Sequence, residues 1–325
     1  PTGFLGTGPS VSNGADFQAG TYDLSASSPL GYQAGDWVCT GGSPVDGNTI
    51  SIAVGEIVSC TLTLDDIEPA LTLNKGVTND NGGTALPSAW TLTATGTAGF
   101  SGAGPSVSNG ANFQAGGYDL SESGPVGYQA SDWVCDGGAQ VDGDTVLVGV
   151  GESVDCTILN DDIEPVLTLV KELTNNDGGR ALLSDFTLAA AGPTPFAGRS
   201  PSGYIGEGFS AGTYTLSESG PSGYGASDWT CVGGSQSGAS ITLSLGESAA
   251  CTIHNDDIPP TLTLVKEVIN DDGGSGQVSD WTLTATGPTG FNGVGPSVDS
   301  GIGFEAGTYD LSEAGPGGYM AGDWI

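Results

Sequence analysis

Basic side chains are almost missing. The 325 residues hold 5 Lys plus Arg against 38 Asp plus Glu, a formal net charge of −33. Phosphate backbones and anionic membranes are gripped by Lys and Arg clusters, so nucleic acid and acidic lipid surfaces are excluded as partners of this stretch. No run of 18 apolar residues occurs, and no charged, apolar leader precedes Pro1, so neither a transmembrane helix nor a signal peptide is expected here. Histidine is reduced to His254, whose in-phase positions are Thr63 and Leu159. A lone imidazole cannot anchor a recurring Ser-His-Asp or Cys-His site, nor complete a zinc site. No Gly-x4-Gly-Lys-Ser/Thr phosphate loop exists, and a glycosidase carboxylate pair repeated in every unit would be odd, so the chain reads as non-enzymatic and needing no cofactor. Asn-x-Ser/Thr acceptors are absent too, which favours a bacterial over a eukaryotic surface protein.

What is plentiful is glycine (57) with 18 proline, close to the level at which disorder is the default, so order has to come from pattern. The pattern is a repeat. Trp37, Trp133, Trp229 and Trp324 follow one another at steps of 96, 96 and 95 residues, and Phe4, Phe100, Phe196 and Phe291 keep the same phase. This predicts an incomplete repeat at 1–68, complete repeats at 69–164 and 165–259, and an incomplete one at 260–325, with joints at Pro69, Pro165 and Pro260 and more repeats expected outside the window.

Within a repeat the period is two, as in Trp90-Thr91-Leu92-Thr93 and Tyr118-Asp119-Leu120-Ser121, and Asn-Gly, Gly-Gly and Gly-Pro turns separate the runs. Nothing reads as a helix. About seven short strands per repeat predict an all-β chain of tandem antiparallel β-sandwiches, immunoglobulin-like in architecture and strung into a rod. All Phe, Trp and Tyr residues except Tyr204 fall in six recurring columns, represented by Trp90, Phe100, Phe113, Tyr118, Tyr128 and Trp133. Recurrence at strand positions reads as core rather than as a sugar-stacking strip.

The six cysteines form three in-phase pairs, Cys39 with Cys60, Cys135 with Cys156 and Cys231 with Cys251. One pair per repeat, set in strand, predicts intra-repeat disulfides and an oxidising, extracellular location.

The three lysines are one repeat position in three copies, Lys75, Lys171 and Lys266. Each ends an inward apolar stripe, such as Leu71-x-Leu73-x-Lys75, so alternation turns the ammonium toward the core. A lone buried charge costs several kcal/mol unless it is paired, neutralised or reacted. Glu122, Glu218 and Glu313 end stripes in the same way, as do Asn160 and Asn255. Lys, Glu and Asn converging in a sandwich are the ingredients of an intramolecular isopeptide bond: a desolvated neutral amine attacks a carboxamide polarised by a protonated Glu. The competing reading is a buried Lys–Glu ion pair capped by Asn. In the first repeat the Glu and Asn positions are Ala26 and Leu64, lost together.

The run Tyr118-Asp-Leu-Ser-Glu122-Ser-Gly-Pro125-Val-Gly127-Tyr128 resembles the Tyr-x-Leu-x-Glu … Pro-x-Gly-Tyr signature of prealbumin-like, SpaA and collagen-adhesin B-type domains of bacterial surface proteins, and Tyr214–Tyr224 and Tyr309–Tyr319 repeat it. The resemblance implies crosslinks joining Lys75 to Asn160 beside Glu122, and Lys171 to Asn255 beside Glu218, with Lys266 and Glu313 in phase.

Acidic turns raise a metal question. If the first and last strands of a repeat run parallel, Asp80 should lie near Asp161 and Asp162, and Asp177 near Asp256 and Asp257; such oxygens could take Ca²⁺, though tight turns favour Asn, Asp and Gly for backbone reasons alone. The functional expectation is an extracellular stalk or filament partnered by copies of itself. An adhesin array binding glycan or a host protein through loops such as Tyr204–Gly208 is the alternative.

Overall fold

A computed structural model describes residues 2–200, 202–204 and 207–325. Two compact units are formed, one by the chain up to Asn79 together with Thr84–Asp161, the other by Asp80–Gly83 together with Asp162–Ile325. The first holds most of the stretch 69–164 and the second all of 165–259.

The complete repeats share one plan, fixed by alternating burial. In the first unit, one five-stranded antiparallel sheet runs Ala139–Gln140, Thr145–Val148, Gly116–Ser123, Thr91–Thr95, Phe100–Ala103. The opposing sheet is centred on the last strand, Ser153–Asp162, and the first strand, Ala70–Thr78, with Ser106–Ser108 on one side and Tyr128–Ala130 and Val134–Asp136 on the other. First and last strands pair in parallel from Ala70↔Ser153 to Thr78↔Asp161. The second unit repeats the pairing from Val166↔Ser248 to Thr174↔Asp256. A parallel pair cannot be joined by a hairpin, so the rest of the repeat is the crossover.

Leu71, Leu73, Leu92, Tyr118, Val146, Val154, Cys156 and Ile158 meet in one core, and Leu167, Leu169, Leu188, Tyr214, Ile241, Cys251 and Ile253 form its counterpart. The aromatic columns belong to these cores: Trp90, Phe113, Tyr118 and Trp133 are all buried, and Phe113 stacks on Tyr118 with centroids 4.6 Å apart. Tyr204, the ring outside the columns, is partly buried and stacks on Phe209 at 5.1 Å. Of the loop Tyr204–Gly208, named above for the adhesin alternative, Ile205 and Gly206 lie outside the described residues.

All three disulfides are formed. Cys135 and Cys156 are directly opposed on antiparallel strands, as are Cys231 and Cys251, so each bond staples the last strand to its neighbour. Closing a loop of this size is worth about 3 kcal/mol.

Helix is not wholly missing. Single 3₁₀ turns at Pro87–Ala89, Leu183–Asp185 and Val278–Asp280 precede the first buried aromatic of their repeats. The Asp185 and Asp280 carboxylates accept the backbone N–H of Leu182 and Gln277, both at 2.9 Å, which closes the turn locally. Three residues are too few to show a helical period, hence their invisibility in the hydrophobic pattern. No helix among the described residues is long and apolar enough to cross a membrane.

Candidate crosslinking site

Alternation along the first strand buries Leu71, Leu73 and Lys75, leaving Lys75 5 % exposed. On the parallel neighbour, Ile158 is level with Lys75, and Asn160 follows on the same inward face, 4 % exposed. Glu122 comes from the other sheet, where it pairs with Leu92. The three side chains converge: Lys75 Nζ donates to Asn160 Oδ1 at 2.5 Å and stands 2.9 Å from Glu122 Oε2. In the second unit Lys171 Nζ donates to Asn255 Oδ1 at 2.7 Å and to the Ile253 carbonyl at 3.4 Å, with Glu218 Oε2 3.3 Å away. Lys266 meets Glu313 at 2.7 Å; the residue in phase with Asn255 falls beyond Ile325.

Burial pulls the Lys75 amine below its ordinary value, opposed by the adjacent Glu122 carboxylate. Burial does the same at Lys171 against Glu218. Glu122 Oε2 and Glu218 Oε2 are themselves buried, and despite their nearness to the amines neither makes a well-directed hydrogen bond. Burial thus favours the uncharged form of the amine, the form a nucleophile needs.

An aromatic face completes each site. Nζ of Lys75 lies 5.0 Å from the centre of the Trp90 ring, Lys171 4.8 Å from Phe186 and Lys266 5.0 Å from Trp281. The ring attracts the ammonium by about 0.5–2 kcal/mol but also takes water from it. Sequence reading filed these rings as core and missed the second role; the signal was their fixed distance of 15 residues after each lysine.

Two of the carboxylates considered for Ca²⁺ accept hydrogen bonds from backbone amides. Asp162 is 3 % exposed, and its oxygens accept the backbone N–H groups of Asp80 at 2.9 Å, of Asn81 at 3.0 Å and of Gly83. Asp257 accepts those of Asn176 at 2.7 Å, Asp177 at 2.9 Å and Gly179 at 2.6 Å. Amide dipoles aimed at a carboxylate stabilise its charge, so these two residues hold the turns that begin each crossover. Asp80, Asp161 and Asp256 are exposed and Asp177 is partly so.

Burial pushes the Asp162 carboxyl up, but the N–H groups of Gly83, Asn81 and Asp80 outweigh it and hold it below the ordinary 3.8. Its stabilisation is therefore complete above the unfolded-state value and lost as pH falls through the folded one. Asp162→Asn should cost about 1–3 kcal/mol at neutral pH, and the gap in melting temperature from the parent should close in strong acid. A gap independent of pH would count against the clamp.

With the geometry in place, comparison with known families is informative. A prealbumin-like fold domain model of the SpaA type matches residues 3–62, 66–158, 162–253 and 257–325. The chain belongs to this SpaA-type prealbumin-like family. Among solved structures it is similar to the TIE protein of Bacillus anthracis (12 % identity, TM-score 0.49, covering 94 % of this chain and 65 % of that one). It is also similar to the major pilin of Streptococcus pyogenes (13 % identity, TM-score 0.29, 60 % of this chain and 99 % of that one). A third similarity is to a C-terminal fragment of the pilus adhesin SpaC of Lactobacillus rhamnosus GG (14 % identity, TM-score 0.31, 59 % and 98 %). The chain thus spans just under two thirds of the TIE protein. No curated protein matches it.

Proposed function

We propose that these prealbumin-like repeats form a non-enzymatic, load-bearing stalk or filament on a bacterial surface, each complete repeat closed by an isopeptide bond between its first and last strands. The observation that carries this is the buried contact of Lys75 with Asn160 and of Lys171 with Asn255, each beside a glutamate. In the reaction the neutral Nζ attacks Cγ of the asparagine, a C–N bond forms, the Cγ–Nδ2 bond breaks, and ammonia leaves. The glutamate takes the proton from Nζ and returns it to the departing nitrogen, so atoms and charge balance without an outside reagent.

The strands so joined are those by which the chain enters and leaves the repeat. Tension applied along the chain would load the covalent bond and bypass the 84 residues between Lys75 and Asn160. The disulfide adds a second tie on the same last strand, four residues before Asn160. Disulfides and an extracellular setting belong together. The acidic surface repels neighbouring copies and keeps exposed strand edges from sticking, while end-to-end partners are further copies of the chain.

Intact mass under reducing conditions tests the bond. The expected mass is that of the sequence less two molecules of ammonia, one for Lys75–Asn160 and one for Lys171–Asn255. A mass equal to the unreacted sequence would leave only buried ion pairs.

A further inference from the structure

We infer that Gly124, Gly220 and Gly315 are positioning residues of the crosslinking site, needed because only a missing side chain lets an aromatic ring lie over the lysine amine. The inference rests on the crosslink reading above and adds a member to its site. Each glycine stands two residues after the site glutamate, at the end of the strand that carries it. A Cβ built on Gly124 would lie 2.4 Å from Cδ1 and 2.5 Å from Nε1 of Trp90; on Gly220, 2.3 Å from Cδ1 of Phe186; on Gly315, 2.4 Å from the same two indole atoms of Trp281. These are the rings that cover Lys75, Lys171 and Lys266.

Turn chemistry does not account for the glycines. None of the three has a left-handed φ, so any residue could adopt the backbone, and what glycine supplies is space. The ring has nowhere else to go: Trp90 is 2 % exposed and meets Tyr128 edge-on at 5.1 Å, and that tyrosine is held by Asn79 and the backbone of Ala85. Phe186 with Tyr224 and Trp281 with Tyr319 repeat the arrangement. A methyl at Gly124 must therefore push the indole off Nζ or push the strand end that bears Glu122, and either shift misplaces a reacting group.

The first repeat supplies an independent observation. Where the other repeats read Glu-Ser-Gly-Pro or Glu-Ala-Gly-Pro, it reads Ala26-Ser27-Ser28-Pro29. Glycine is replaced in the same repeat in which Glu becomes Ala26 and Asn becomes Leu64. The proline, the turn glycine Gly31 and Tyr32 are all retained there, so the run keeps its turn and loses its glycine together with the chemistry.

Peptide mapping by mass on the full chain tests this, with repeat 165–259 as internal control. In Gly124→Ala, Lys171–Asn255 should close as in the parent, whereas Lys75–Asn160 should remain largely unreacted and close about a hundredfold more slowly, the usual cost of misplacing a reacting atom by roughly 1 Å. Trp90→Leu in the Gly124→Ala background should partly restore closure, because the methyl then has room; a merely structural role would make the two losses add. Full closure in Gly124→Ala, or additive loss in the double variant, overturns the role of glycine while leaving the crosslink standing. Two ammonia molecules retained by the parent chain would instead overturn the crosslink, and this role with it.

Discussion

Trypsin is expected to nick this protein twice without releasing its halves. The only arginines, Arg180 and Arg199, are exposed and lie outside strands, while the three lysines sit in or beside strands under their aromatic rings. Cleavage at both arginines removes residues 181–199 and breaks the chain between Lys171 and Asn255. No disulfide spans that gap, since the pairs are Cys39–Cys60, Cys135–Cys156 and Cys231–Cys251. On a denaturing, reducing gel the isopeptide bond alone would hold 1–180 to 200–325, giving a single branched species close to full length. Two separate bands would show that Lys171 is only ion-paired. Digestion after denaturation sharpens the outcome: an acylated lysine is no longer a trypsin site, so cutting should occur after Arg180, Arg199 and Lys266 but not after Lys75 or Lys171.

Much of this arrangement is legible in the sequence because it is repeated and because strand periodicity is strict. The inward direction of Lys75 follows from Leu71-x-Leu73-x-Lys75, and burial along Ala70–Thr78 alternates as that spacing requires. The parallel pairing of first and last strands and all three disulfides also follow from position. Features that depend on three-dimensional closeness were not legible. The nearness of Asp162 to Asp80 follows from a parallel register, but not that its carboxylate accepts three backbone N–H groups of the turn 80 residues earlier. Gly124 looks like half of a Gly-Pro turn, and its steric fit to Trp90 emerges only when two strands of one sheet are laid side by side. Tyr204 stands out as the aromatic without a column and invites a surface role, but the nearby Phe209 captures one face of its ring.

Removing the glutamate should hurt more than removing the whole triad. Glu122→Ala leaves Lys75 buried at 5 % exposure with its charged partner gone, and breaking such a pair typically costs about 3–5 kcal/mol. It also removes the proton carrier, so the reduced intact mass should show one ammonia lost instead of two. Both influences that raise the Lys75 amine come from Glu122, while burial, the larger influence, lowers it. Without the carboxylate the folded-state value drops further below the ordinary 10.5. Between that folded value and 10.5 the unfolded chain binds the extra proton, so stability of Glu122→Ala should rise with pH across the window, the same sign as at the Asp162 clamp but in an alkaline rather than an acidic range. Replacing the set with Lys75→Met, Glu122→Ala and Asn160→Leu, the last two as nature does at Ala26 and Leu64, removes the buried charge and should recover most of the lost stability with no ammonia lost from that repeat. Denaturant unfolding of both variants between neutral and alkaline pH, with mass measured on the same samples, checks the order. If Glu122→Ala still sheds two ammonia molecules, the glutamate has no part in the proton path and the amine and carboxamide react by themselves.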